Sequence, residues 1–232
     1  MSHHIFIPTM NGADDWQKLL ADPEKQWRTG FSARSLAYCW ESADGFPSEV
    51  ASLFSQSGVP AFQHVEALMA FPEYKVMMPP RGGHPSQNDL FVLAKSGDGQ
   101  LMAITIEGKV SEPFGETLGE WKVKASNGKI ERLAFIKEQL ALTDELPPNI
   151  RYQLLHRTVS AVIEANRFNA SSAAMIVHSF NQNDLWFDDY QNFLALFGVQ
   201  AIEPGRLFYL TVIQGIKLYS GWARGDERFL RV

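Results

Sequence analysis

A single cysteine, Cys39, stands among 232 residues. That excludes an intrachain disulfide and any zinc site clustered on cysteines. Cys39 lies in the apolar stretch 36–40, a setting for a buried structural thiol rather than a nucleophile, and scarce cysteine fits a reducing cytoplasm. No apolar run approaches the roughly 20 residues needed to span a bilayer, so no membrane partner is expected. Residues 1–10 have neither a basic n-region nor a long apolar h-region, so no secretory signal is expected, and His3 and His4 read as native sequence rather than a tag. A basic excess is also missing: 21 Lys and Arg against 26 Asp and Glu give a net charge of −5. This counts against a domain that coats nucleic acid non-specifically, but leaves room for an enzyme that meets it through one local patch.

Several catalytic templates are absent. The loop Arg81-Gly82-Gly83-His84 lacks the Gly-Lys-Ser/Thr ending of a phosphate-binding loop. There is no Gly-x-Ser-x-Gly elbow, no dinucleotide fingerprint, and no calcium-loop spacing among Asp184, Asp188 and Asp189. Internal repeats, low-complexity tracts and long linkers are missing too. The chain therefore reads as one domain over 1–232: an N-terminal helical extension to residue 60, a core over 61–180, and a C-terminal helix and strand pair over 181–232.

What is present suits a large core. Hydrophobic residues make up 45% of the chain, with six Trp and sixteen Phe. Residues 14–29 suggest a short helix broken near Pro23, 32–40 a helix started by a Ser32 cap, and 48–54 a third. Phe62, Val65, Leu68 and Met69 recur at helical spacing, predicting a helix over 61–70 that Pro72 stops. Strands are expected over 73–78, 89–95 and 101–110, with an irregular stretch over 112–127. Helices follow over 129–142, from 150 (capped by Asn149) to 166, and over 186–197. A strand over 173–180 separates the last two, and a strand pair over 207–213 and 217–222 ends the chain. The fold class is thus α/β, a mixed sheet flanked by helices, with a parallel crossover leading into the strand at 173.

The central hairpin carries the chemistry. With its turn centred near Asp98, position 89 falls opposite 107, nine residues from the centre on either side. Side chains alternate along a strand, so Glu107 and Lys109 share a face, and Asp89 comes beside Glu107. A slip of one residue would separate them. Two carboxylates at one end of an otherwise apolar strand pair repel unless neutralised. A divalent cation does this, and hard oxygen donors suit Mg²⁺ or Mn²⁺. Lys109 can then polarise a water or meet charge on a phosphoryl oxygen. Gly108 allows close approach between the two. The plainer alternatives are Asp89 capping the loop 86–88 and Glu107 with Lys109 forming an ion pair on a solvated strand end. The triplets Glu73-Tyr74-Lys75 and Glu120-Trp121-Lys122 also spell E-x-K, but neither ends an apolar strand that follows a correctly placed acid. His178, inside an apolar run, reads as a hydrogen-bonded core histidine, and His84 as a loop residue.

Asp89 followed by Glu107-Gly108-Lys109 on the next strand resembles the PD-(D/E)xK motif of the restriction-endonuclease-like nucleases. The helix–β–β–β–helix–β order over 61–180 is similar to that superfamily's core. Asn88 stands where the motif has proline. The resemblance implies a nucleic-acid substrate, DNA in the first instance, and Mg²⁺ or Mn²⁺ held by Asp89, Glu107 and the Gly108 carbonyl. It gives Lys109 the attacking water, offers Glu66 as an acid on the preceding helix, and matches Gln153 or Arg157 only loosely to assisting roles on the following helix. Restriction-type enzymes are often dimeric, so a homodimer is an expectation of the resemblance alone. The alternative of another class is a non-catalytic binding protein that keeps the fold.

Overall fold

The computed structural model describes residues 11–123 and 125–232; Met1 to Met10, with the two N-terminal histidines, lie outside the described residues. Six strands form one mixed sheet: β1 (Glu66–Val76), β2 (Ser86–Lys95), β3 (Leu101–Lys109), β4 (Ser172–Ser179), β5 (Leu207–Ile213) and β6 (Ile216–Arg224). Their spatial order is β1-β2-β3-β4-β6-β5. The pairs β1–β2, β2–β3 and β5–β6 are antiparallel, while β3–β4 and β4–β6 are parallel. The C-terminal strand pair thus extends the central sheet.

Helices cover both faces. On one side α2 (Ser32–Glu41) and α3 (Ser48–Ser55) lie over Leu90, Val92, Ile104, Ile106 and Ile176, with the short α1 (Pro23–Gln26) against α2. On the other, α5 (Asn127–Gln139), α6 (Tyr152–Arg167) and α7 (Phe187–Ala195) cover Phe91, Leu93, Ala103, Met175 and Val177. A short α4 (Leu118–Lys122) lies in the stretch expected to be irregular, held by a capping box between Thr117 and Glu120. The connection from β3 through α4, α5 and α6 to β4 is the expected parallel crossover. Among the described residues no helix is long and apolar enough to cross a membrane.

The helix expected over 61–70 is not formed. Pro60–Phe62 makes one 3-10 turn, and the chain then enters β1. The register shifts between Ala67 and Met69, which breaks the two-residue alternation and leaves a spacing that mimics a helix. β1 is the sheet edge, where Pro72 is tolerated because one side of the strand has no ladder to complete. A second irregularity sits at Glu73, whose φ of 52° lies in the left-handed region. It turns Phe71 and Tyr74, three residues apart, toward the same ring of Phe91, at 6.3 and 4.8 Å between centroids. Regular alternation would have put them on opposite faces.

Two expected helix starts move for local reasons. Ser32 does not cap α2 with its side chain; its amide donates instead to Glu112 Oε1 at 2.8 Å. The residues before α6 are drawn into an antiparallel bridge between Thr117 and Arg151, so the helix starts after Arg151 and not at 150.

Candidate active site

The hairpin adopts the register counted from its turn. Leu90 pairs with Ile106, the last pair of the ladder, so Asp89 and Glu107 follow as the next opposed positions. Asp89 lies inside β2 and not in a loop, which removes the loop-capping alternative. Where the ladder stops, the Asp89 side chain continues it: its Oδ2 accepts the Gly108 amide at 2.8 Å. Leu36 also crowds Gly108: a Cβ there would lie 3.3 Å from Leu36 and 3.4 Å from Asp89 Oδ2. The absence of a side chain is what lets α2, β3 and the Asp89 carboxylate meet.

Glu107 is the hub. Its Oε1 accepts from Lys109 Nζ at 2.6 Å and from Gln153 Nε2 at 2.7 Å, and its Oε2 accepts from Arg157 Nε at 2.6 Å. Glu107 and Lys109 do pair with each other, but they are 1% and 4% exposed, so this is no solvated strand end. The Lys109 ammonium also lies 4.9 Å from the Phe114 ring centroid, a cation–π contact in a dry setting. α6 brings Gln153 and Arg157 one turn apart onto β3. Its position is fixed by Thr105, two residues before Glu107, whose hydroxyl donates to the Arg157 carbonyl at 3.0 Å. Arg157 reaches further, with Nη2 3.9 Å from Asp89 Oδ1 and Nη1 donating to Ser86 Oγ at 3.2 Å. Ser86 in turn contacts His156 Nδ1 at 2.8 Å, and burial together with the Arg157 charge holds that imidazole neutral, well below its ordinary pKa.

Glu66 is not part of this site. It begins β1 at the far end of the sheet, beside its cross-strand partner Lys95 at 2.9 Å. Its expected place on a helix vanishes with the helix. The third acid is Glu73, from an E-x-K triplet that sequence spacing set aside. The pairs Pro72–Leu90 and Tyr74–Asn88 flank it, putting it opposite Asp89. Gln87 Nε2 holds its Oε2 at 2.7 Å. Glu73, Asp89, Glu107, Lys109, Gln153 and Arg157 all line one cavity of about 490 Å³. Its opposite wall comes from Leu20, Lys25, Gln26, Phe31 and Ser32.

Four carboxylates, Glu73, Asp89, Glu107 and Glu112, line the cavity against the cations Lys25, Lys109 and Arg157, and the protonation of the acids reflects the shortage of positive charge. Burial, and then the Glu107 charge, push the Asp89 carboxyl up to about 7 against the pull of Arg157 and Lys109. Burial and then the Asp89 charge push Glu73 up to about 8. For Glu107 burial acts upward as well, but Lys109 and Arg157 outweigh it and keep the group ionised, below its ordinary value. Arg157 is raised by the acids around it, against its own burial.

Glu73, Asp89 and Glu107 offer carboxylate oxygens, the donor type that suits a hard divalent cation, but the three do not form a set of ligand atoms all within 4.8 Å of one another. Among these side chains, Glu73 Oε1 receives no hydrogen bond from the described residues, and Asp89 Oδ1 has Arg157 Nη2 at 3.9 Å. Among the described residues the group whose ligand atoms do lie within 4.8 Å of one another is Cys39, Glu49 and His178. Its hydrogen bonding suits a metal less well. Trp40 Nε1–H donates to His178 Nδ1 at 3.2 Å, so the ring proton lies on Nε2, which meets Glu49 Oε1 at 2.9 Å. Metal at Nε2 would move that proton to Nδ1 and set two donors face to face. His178 is the hydrogen-bonded core histidine that its apolar run suggests, and burial raises the Cys39 thiol well above its ordinary pKa.

Fold and cavity together define an α/β chain with an acidic, cation-braced pocket at one end of a mixed sheet. The chain belongs to the DUF6946 family, a domain of unknown function whose model matches residues 9–227. Comparison with curated proteins and with solved structures gives no match.

Proposed function

We propose that this protein is a metal-dependent phosphodiesterase of the restriction-endonuclease-like class, acting on nucleic acid, with DNA as the first substrate to test. The observation that carries the reading is the convergence of Glu73, Asp89, Glu107 and Lys109 from three adjacent strands on one cavity. The order β1, β2, β3, then α4 to α6, then β4 supports it, since it is compatible with the β–β–β–helix–β part of the succession that the motif resemblance implies; the opening helix at 61–70 is missing, and α3 lies upstream of that range. Asp89 and Glu107 would hold Mg²⁺ or Mn²⁺, with the Gly108 carbonyl as the resemblance suggests and Glu73 as a further hard donor in place of Glu66. Such an ion supplies charge neutralisation at phosphoryl oxygens and a more acidic water. The chain's own part is to position and discharge. Lys109, held on Glu107, presents an ammonium where a water or a developing phosphoryl charge needs one. Gln153 and Arg157 fix the Glu107 carboxylate so that it does not reorient during turnover.

With Mn²⁺ present, the purified protein is expected to cleave DNA and to hydrolyse bis(4-nitrophenyl) phosphate, and EDTA should remove both activities. Full activity in EDTA, or none with either ion, would end this reading.

One observation favours a second reading, a non-catalytic binding protein that keeps the fold: Glu107 already receives three hydrogen bonds from its own chain. Calorimetry separates the two. No heat of Mn²⁺ binding, together with normal folding of Glu107→Gln, would mean that Arg157 has taken over the neutralising role for good.

A further inference from the structure

Building on the phosphodiesterase reading, we infer that the substrate is a single-stranded polynucleotide or the unpaired end of a duplex, because the reacting groups lie in a covered slot. Glu107 and Lys109 are almost wholly buried, and Arg157 is little more exposed. The wall opposite the acids is built from the turns around Leu20, Lys25 and Gln26 and from the start of α2 at Phe31 and Ser32. That wall is fastened to the rest of the molecule. The Ser32 amide is held by Glu112, the Thr29 hydroxyl donates to the Val232 carbonyl at 2.7 Å, and the buried Ser35 hydroxyl donates to the Phe229 carbonyl at 2.9 Å. Leu36, one turn into α2, packs on Gly108 itself. Removing the wall to admit a rigid ligand would break all of these contacts together.

A duplex fits that slot less well than a single strand. Its backbone is stiff over about 50 nm and resists the local bending that entry between the two walls requires. A single strand bends at every nucleotide and can enter with its bases unstacked. The cavity, about 490 Å³, falls toward the lower end of the roughly 300–1,000 Å³ common for small-ligand pockets. Such a space takes a short unpaired stretch. Its lining is divided accordingly. Phe31, half-buried, offers an apolar surface for an unstacked base, whereas Lys25, paired with Asp22 at 2.8 Å, and Lys109, paired with Glu107, are the cations a phosphate would meet. The chain's net charge of −5 agrees, since nothing in that balance resembles the basic excess with which proteins coat duplex DNA.

The test uses one labelled sequence as single-stranded DNA, single-stranded RNA, blunt DNA duplex, and duplex with an unpaired tail, each with the full chain and Mn²⁺. Bis(4-nitrophenyl) phosphate runs in parallel as a report on the chemistry. At least one single strand is expected to be cut ten times faster than the blunt duplex or more, and the tailed duplex to be cut within its tail; the two single-strand arms tell DNA from RNA. Binding gives an independent readout. On Asp89→Asn, fluorescence anisotropy should show at least tenfold tighter binding of the preferred single strand than of the blunt duplex. Blunt duplex cut as fast as single strands, with the small diester hydrolysed, overturns the inference and leaves the phosphodiesterase reading standing. No hydrolysis of any substrate overturns both.

Discussion

Replacing Lys109 with methionine is expected to lower Mn²⁺-dependent hydrolysis of bis(4-nitrophenyl) phosphate by about 10²–10³, the range seen when one oriented charge-stabilising group is removed. Methionine keeps the length of the aliphatic stem beside Phe114 and removes only the ammonium. Glu107 then loses one of its three donors but retains Gln153 and Arg157, which hold both carboxylate oxygens in place. The variant should therefore fold, with an unchanged far-ultraviolet spectrum, and calorimetry should still register Mn²⁺. A loss in kcat with little change in KM is the expected pattern for a group that acts on the reacting atoms. An unchanged rate would show that the cation only balances charge.

Arg157→Met should act mainly on stability. The guanidinium is the one group that faces Glu107, Asp89 and Ser86 together, and it is nearly buried. Removing one partner of a buried ion pair costs about 3–5 kcal/mol, because the other charge stays behind without compensation. The loss should depend on pH, with a sign that follows from linkage. Asp89 rises from an ordinary 3.8 to about 7 in the folded chain, and Glu73 from 4.5 to about 8. A carboxyl whose folded pKa is raised binds its proton more tightly when folded, so its contribution to stability falls as pH climbs from the unfolded value through the folded one. In the native chain that decline runs from about pH 4 to about pH 8. Without Arg157 both acids are raised further, and the decline continues above pH 8. The gap in Tm between Arg157→Met and the native chain should thus be present already at pH 5, where Glu107 is ionised, and widen toward pH 9 as Asp89 and Glu73 lose their protons, and Mn²⁺ should narrow it at the high end. A gap that stays constant with pH would mean that Arg157 contributes packing rather than charge.

The contrast between Glu107 and Glu73 shows which parts of this site a sequence exposes. The β2–β3 hairpin is regular, so a count from Asp98 gives the register, and alternation gives the shared face of Glu107 and Lys109. Gln153 and Arg157 match only loosely in sequence, and it is the seating of α6 on β3 that brings both, one turn apart, to Glu107. Glu73 sits where regularity fails. The bulge after Ala67 and the left-handed backbone at Glu73 erase the period of β1, and without that period neither its pairing with β2 nor the direction of its acid can be counted. The same bulge produced the false helix over 61–70 and with it the assignment of Glu66. The covering wall was illegible for another reason. Short turns such as Pro23–Gln26 carry little periodicity, and contacts such as Ser32 to Glu112 join residues 80 apart in the chain. Tertiary pairing decides such places, and local pattern says nothing of it.

The bond between the Asp89 carboxylate and the Gly108 amide makes one side chain serve two tasks. It stands in for the missing last rung between β2 and β3, and it faces the cavity. Whatever alters the charge on that carboxylate therefore alters how firmly the end of β3 is held. The Gly108 N–H should be a sensor for the pocket, exchanging with deuterated solvent at a rate that tracks proton, ion or substrate. Residue-resolved exchange at that single amide, followed against pH and Mn²⁺, should respond while the amides of Val92 and Ile104, deep in the ladder, stay silent.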